Sequence, residues 1–215
     1  MIKDRMFKIN LGIAEELMGY MIGLEMEDPI GYDLHYSVVY NGVYNPGVPK
    51  IGDQFTMSMG TEGYRLDGDV CVPMIYKDVS GFQEDMYWFL CDRYNFDLFN
   101  WGMQYGFTFE QSSILFDILH ELGHCKNWLH DINRYNGRFK TLDDDYDDKE
   151  QLYFVTDEEE LFIRYRQLRT ESYADKTSVE FLKKYGDTLA QFVKRGLLTE
   201  VNSKEFNEIE NIILG

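Results

Sequence analysis

Thr108-Phe109-Glu110-Gln111-Ser112-Ser113-Ile114-Leu115-Phe116-Asp117-Ile118-Leu119-His120-Glu121-Leu122-Gly123-His124 is the stretch on which the reading of this chain turns. Thr108 followed three residues later by Gln111 is the start signal of a helix. Ile114, Leu115, Ile118, Leu119 and Leu122 then recur at helical rather than strand spacing. On a helix, residues i and i+4 lie on one face, so His120 and His124 can aim two imidazoles at one ion. Imidazole suits zinc, whose catalytic sites take three protein ligands and a water. Glu121 sits beside the first of these histidines, placed to take a proton from that water. Small Gly123 leaves room next to an ion. The bland alternative is a surface helix with two incidental histidines.

Composition narrows the setting. A chain of 215 residues predicts a single domain, with an N-terminal helix and sheet part over residues 1–107 and a helical part over 108–215. Hydrophobic residues make up 44% and aromatic ones 16%, enough for a sizeable core. The net charge is −17, from 38 acidic and 21 basic side chains. Such a surface repels phosphate backbones, which argues against nucleic-acid binding, and attracts basic segments of a partner or substrate. Cys71, Cys91 and Cys125 are odd in number and have no C-x-x-C spacing, so free thiols in a reducing compartment are expected. There is no leader-like apolar segment at the N-terminus and no run of 18 apolar residues, so neither secretion nor a membrane span is expected, and the cytoplasm is the expected location.

Working outward, residues 6–26 read as a helix weakened by Gly12, Gly19 and Gly23, with a methionine-rich face at Met6, Met18, Met21 and Met26. Residues 36–40, 54–59 and 70–76 read as strands separated by turn residues, and Pro73 assigns the last to an edge or a bulge. Residues 82–94 read as a helix, and 94–107 as an aromatic-rich connection. The motif helix is expected to end near Asn136-Gly137, and the run Asp143 to Asp148 to be a solvated loop. A second long helix is predicted from Thr156, with Glu159 completing a capping box, to about Tyr185 before Gly186. Two shorter helices follow, one ending near Gly196 and one over 203–214.

The second helix carries polar residues on its inward stripe: Leu168, Glu171, Asp175, Ser178 and Leu182 share one side. Burying a carboxylate is costly unless it is paired or binds metal. Glu171 facing inward supplies a third ligand, and Asp175, one turn on, can accept the far N–H of a ligand histidine and fix its tautomer.

With those residues in hand, the chain resembles the gluzincin metallopeptidases, which pair H-E-x-x-H with a downstream E-x-x-[SA]-D; here these are His120-Glu121-Leu122-Gly123-His124 and Glu171-Ser172-Tyr173-Ala174-Asp175. The resemblance covers residues 108–185. It implies an α+β, zincin-like fold: a small antiparallel or mixed sheet lobe, an active-site helix and a helical C-terminal lobe. It implies Zn2+ held by His120, His124 and Glu171, Glu121 as general base, Asp175 orienting a histidine, and hydrolysis of a peptide or protein substrate. A tyrosine or histidine that steadies an oxyanion is also implied, with Tyr173, Tyr165, Tyr135 and His130 as candidates. His130 has a rival role, because it falls where the third histidine of a metzincin would, with Asn127 in place of the usual glycine. The methionine turn of that group has no counterpart, since all 10 methionines lie at or before Met103. The alternative from another class is a structural or regulatory binding module, such as a component of a viral or mobile-element assembly, with little or no peptidase activity.

Overall fold

The structure is a computed structural model and describes residues 6–25, 32–39, 54–61, 64–65, 70–73, 75–77, 80–134 and 140–202. The chain opens with β1 (Met6–Ile9) and α1 (Leu11–Glu25). Five strands follow: β2 (Tyr32–Val39), β3 (Gln54–Thr61), β4 (Tyr64–Arg65), β5 (Val70–Pro73) and β6 (Ile75–Lys77). Then come α2 (Ser80–Tyr94), α3 (Leu98–Tyr105), α4 (Phe109–Arg134), α5 (Lys140–Leu152), α6 (Glu158–Gln167), α7 (Arg169–Lys194) and β7 (Leu198–Glu200).

Helices dominate, and this overturns the α+β, zincin-like architecture expected from the sequence. The physical reason lies in segments that turn chemistry and acidity disguised. Residues 94–107 were expected as a connection, yet Asp97 caps α3 by accepting from Asn100 N at 2.8 Å, and Gly106 closes it with a left-handed φ of 77°. Residues 143–148 were expected as a solvated loop and instead form the middle of α5. Strand pairing is short by comparison. β1 pairs antiparallel with β6 and β7, while β3 pairs antiparallel with β2 on one side and with β4 and β5 on the other. Pro73 ends β5 opposite Gln54, on a strand paired on one side only among the described residues. Residues 6–9, expected at the start of a helix, are strand β1. The helix expected over 203–214 lies outside the described residues.

α4 is the axis of the fold. It buries Ile114, Leu115, Phe116, Ile118, Leu119, Leu122, Cys125, Trp128 and Leu129, an apolar surface too wide for a single stripe. Its capping box forms as the sequence predicts, with Gln111 N donating to Thr108 Oγ1 at 3.3 Å and Thr108 N to Gln111 Oε1 at 3.0 Å. α7 packs along it, contributing Val179, Phe181, Leu182, Leu189, Ala190 and Phe192 to the same core. Phe7 and Ile9 of β1, Leu17, Met18 and Met21 of α1, Met86 and Leu90 of α2, Leu98 and Trp101 of α3, and Leu198 of β7 belong to that core. Trp101 Nε1 donates to Leu182 O at 3.0 Å and ties α3 to α7. Cys125 is a buried free thiol that burial pushes up to about 12, so it stays protonated. No helix among the described residues is long and apolar enough to cross a membrane.

The single helix expected from Thr156 to Tyr185 is two. The backbone at Leu168 is extended (φ −52°, ψ 146°), so α6 ends and α7 begins there. The cap of α6 is Asp157, accepting from Glu160 N at 2.8 Å, one residue past the predicted Thr156. α7 does not stop at Gly186 but kinks at Tyr185 and continues. The glycine serves packing there, since a Cβ at Gly186 would lie 2.2 Å from the Tyr105 ring.

α4 and α7 approach closely at Gly123. A Cβ on Gly123 would stand 2.7 Å from Ala174 Cα and 2.8 Å from Ala174 O. Those are backbone atoms and cannot swing aside. Glycine to alanine in a helix ordinarily stabilises by about 1 kcal/mol. Gly123→Ala is expected to do the opposite, costing about 1–3 kcal/mol through overpacking. A thermal melt of the two proteins checks it, and an unchanged or raised Tm would contradict the close approach.

Glu25 joins three helices. Its carboxylate accepts from Lys184 Nζ at 2.5 Å, from Lys126 Nζ at 3.2 Å and from the Tyr185 hydroxyl. Burial works to raise its pKa, but these three donors together outweigh burial and lower it from 4.5 to about 2. A depressed carboxylate contributes stability above its unfolded value, and that stability is lost as pH falls through 4.5 towards 2. Urea titrations of chelator-treated protein at pH 7 and pH 3 are expected to show a loss of stability on acidification that Glu25→Gln makes smaller by about 1–2 kcal/mol.

Candidate metal centre

α4 brings His120 and His124 to one face, one turn apart, and the packing of α7 sets Glu171 opposite them. His120 Nε2 lies 3.1 Å from His124 Nε2 and 3.2 Å from Glu171 Oε2, and His124 Nε2 lies 3.7 Å from that same oxygen. Ligand atoms about 2.0–2.1 Å from a tetrahedral ion stand about 3.3 Å from one another, so the triangle has the right size for zinc. Among the described residues this is the one His, Cys, Asp and Glu group able to hold a metal ion.

The chemistry of the donors agrees with the spacing. His120 Nδ1 lies 3.0 Å from Asp175 Oδ1. A carboxylate there accepts a hydrogen bond from Nδ1–H, and the neutral ring then presents Nε2 as a lone-pair atom. Glu171 Oε2, 3.2 Å away, is buried with no hydrogen-bond partner of sound geometry. Burial works to raise the Glu171 carboxyl, but the two imidazoles facing it outweigh that and hold it well below the usual range, so it is a carboxylate. Burial also lowers the His124 pKa and keeps that ring neutral. Two lone-pair atoms facing each other, one of them carrying a buried charge, fit a cation between them.

Glu121 follows His120 on the same turn. Burial pushes its carboxyl up to about 7, and the neighbouring Glu171 and Asp117 carboxyls add to the rise. Asp117, one turn before His120, is likewise raised by burial, to about 6. Tyr165 at the end of α6 sets its hydroxyl against the Glu171 carboxylate; burial, then Glu171, raise its pKa, so it remains an O–H donor at neutral pH.

The buried cation of the site is Arg166. Its Nε donates to Asp175 Oδ2 at 3.1 Å, its Nη2 donates to Asp175 Oδ1, and its Nη1 lies 3.7 Å from Glu171 Oε2. This fork grips both oxygens of Asp175 and fixes the carboxylate that orients His120. Sequence reasoning missed Arg166 because it lies across the break at Leu168, where helical spacing from Asp175 no longer applies. The signal that could have found it was charge: Glu121, Glu171 and Asp175 on facing stripes demand a buried cation.

The acidic run has a structural task in the same place. α7 begins at Arg169 with no side-chain cap of its own. Asp145 of α5, fully buried, accepts from Arg169 N at 2.9 Å and Thr170 N at 2.7 Å, and so caps the helix that carries Glu171. Asp131 of α4 caps α5 in turn, accepting from Thr141 N at 2.6 Å.

Other predicted site residues lie elsewhere. His130 is exposed, with Nδ1 3.6 Å from Asp131 Oδ1. Its ring faces Tyr173 with centroids 6.4 Å apart, and neither residue contributes to the His120, His124 and Glu171 cluster. The charged groups that bear on Tyr173 are Glu180 and Asp131. Tyr135 is outside the described residues.

No family model, no curated protein and no solved structure matches this chain.

Proposed function

We propose that the protein is a zinc-dependent metallopeptidase acting on a peptide or protein substrate. The observation that carries the reading is the convergence of His120, His124 and Glu171 with Glu121 beside them and Asp175 behind His120. His120, His124 and Glu171 would hold the ion. When bound, zinc lowers the pKa of a coordinated water and polarises the scissile carbonyl. Glu121 takes a proton from the attacking water, and the same carboxyl passes it to the amine as the carbon–nitrogen bond breaks. Tyr165, held as an O–H beside Glu171, donates to the oxygen that gains charge as water adds. Asp175 and Arg166 keep His120 aimed.

The likeness to gluzincins is confined to these residues and does not extend to the fold. The free thiols Cys91 and Cys125 fit work in the cytoplasm, and the charge of −17 fits a preference for basic segments. Two measurements test the reading: metal content of the purified protein, and cleavage of a mixed peptide library by the zinc-loaded form. About one zinc per chain with cleavage that a chelator abolishes is the expected result. A metal-loaded chain that cleaves no peptide would place the protein among binding modules instead.

A further inference from the structure

We propose that the turn between α5 and α6 is a docking surface for a basic, leucine-like segment of the substrate, outside the His120, His124 and Glu171 cluster. The inference rests on the metallopeptidase reading for calling the partner a substrate, while the surface itself stands on its own geometry. Tyr153 and Phe154 are 88% and 85% exposed, and Tyr146, two helical turns before Tyr153, is 63% exposed. Tyr153 N donates to Glu150 O at 3.4 Å, Phe154 N to Gln151 O at 3.2 Å and Val155 N to Leu152 O at 3.1 Å. The rings are therefore mounted on a hydrogen-bonded turn that carries α5 forward. Burying such a side chain is worth about 1.5–3 kcal/mol. The same chain buries Phe96, Trp101, Phe107, Phe116 and Phe181 in its core. Neighbouring rings left in water on an ordered turn are the pattern of a contact surface.

Charge says what covers it. Asp147, Asp148 and Glu150 are exposed on α5, and Glu158, Glu159 and Glu160 are exposed at the start of α6. The three glutamates complement the positive end of their own helix, but Asp147 and Asp148 sit within α5 and have no such task. An acidic rim around exposed aromatics fits cationic side chains spaced by apolar ones. The same rim disfavours a second copy of this chain, at −17, and an anionic lipid surface.

Position links the turn to the metal cluster. α6 runs from Glu158 to Gln167 and delivers Tyr165 to Glu171. Seven residues at 1.5 Å rise make about 10 Å, which an extended chain spans in about three residues. A substrate engaging both places would extend from the cluster along the length of α6.

Binding without cleavage tests the proposal. A fluorescein-labelled peptide of about twelve alternating Lys and Leu residues, and its Glu-for-Lys counterpart, are titrated by anisotropy against the full zinc-loaded chain. The Lys probe is expected to bind, more weakly as salt rises, and Tyr153→Ser/Phe154→Ser is expected to raise its Kd about tenfold or more with metal content unchanged. Asp147→Lys/Asp148→Lys, which leaves the rings in place, is expected to weaken binding similarly. No binding of the Lys probe, equal binding of the Glu probe, or wild-type affinity in either double variant overturns the proposal. So does a wild-type dimer in sedimentation that Tyr153→Ser/Phe154→Ser dissociates, which would assign the surface to self-association. A chain that binds the Lys probe as expected but cleaves nothing fails as a peptidase while keeping the docking surface.

Discussion

Glu171→Ala is expected to purify without its metal, with bound zinc falling from about one per chain to less than about a tenth and affinity weakened about a thousandfold. The basis is the triangle of His120 Nε2, His124 Nε2 and Glu171 Oε2, in which α7 supplies one corner and α4 the other two. Two imidazoles one turn apart remain in the variant, but they lack the charge that offsets the ion's own. His130→Ala is the matched control. His130 is exposed and stands apart from the cluster, so this variant should retain its zinc. Loss of metal in His130→Ala but not in Glu171→Ala would make His130 the third ligand and undo the assignment. Asp175→Asn is expected to fall between the two, binding zinc about 10–100 times more weakly, because it releases the His120 ring and half of the Arg166 fork without removing a ligand atom.

Glu121→Gln is the second large effect. Turnover of any cleaved peptide should drop by about 10²–10⁴ while zinc content stays at that of the wild type. The amide keeps the shape of the carboxylate and cannot accept the proton. Burial disfavours the ionised carboxylate at this position, as its rise to about 7 records, so the neutral substitute should leave Tm unchanged or higher. Lost activity with intact metal and intact Tm isolates the proton step. An active Glu121→Gln protein would sink the mechanism, and a variant that also loses zinc would mean that Glu121 belongs to the metal cage.

Parts of the fold and of the site were legible in the sequence, and the pattern of what was not is physical. The Thr108–Gln111 capping box and the period of Ile114, Leu115, Ile118, Leu119 and Leu122 are local, carried within two turns of chain. The polar stripe Glu171, Asp175 and Ser178 could be read because residues four apart share a face wherever the helix is continuous, and all three are buried. The break at Leu168 stopped that reasoning and hid Arg166. The Asp143–Asp148 run looked like a solvated loop because acidity alone says nothing of what a single carboxylate reaches. Asp145 is buried by two backbone N–H groups that lie more than twenty residues away. The same blindness favoured a sheet lobe over the helical body, since α3 and α5 depend on caps from Asp97 and Asp131 that the apolar period does not register.

What the sequence by itself determined is the His120, Glu121 and His124 face of α4. A helix with histidines at i and i+4 and a glutamate between them presents that set in any fold, because 3.6 residues per turn decides it. What only the tertiary structure decided is which residues complete the set. Glu171 rather than His130 meets the two imidazoles because Gly123, lacking a Cβ, lets α4 press against Ala174 of α7. Tyr165 rather than Tyr173 borders the cluster because the chain turns at Leu168 and swings α6 alongside. Those outcomes come from close packing between segments some fifty residues apart, and contact at that range is set by shape and burial rather than by spacing along the chain.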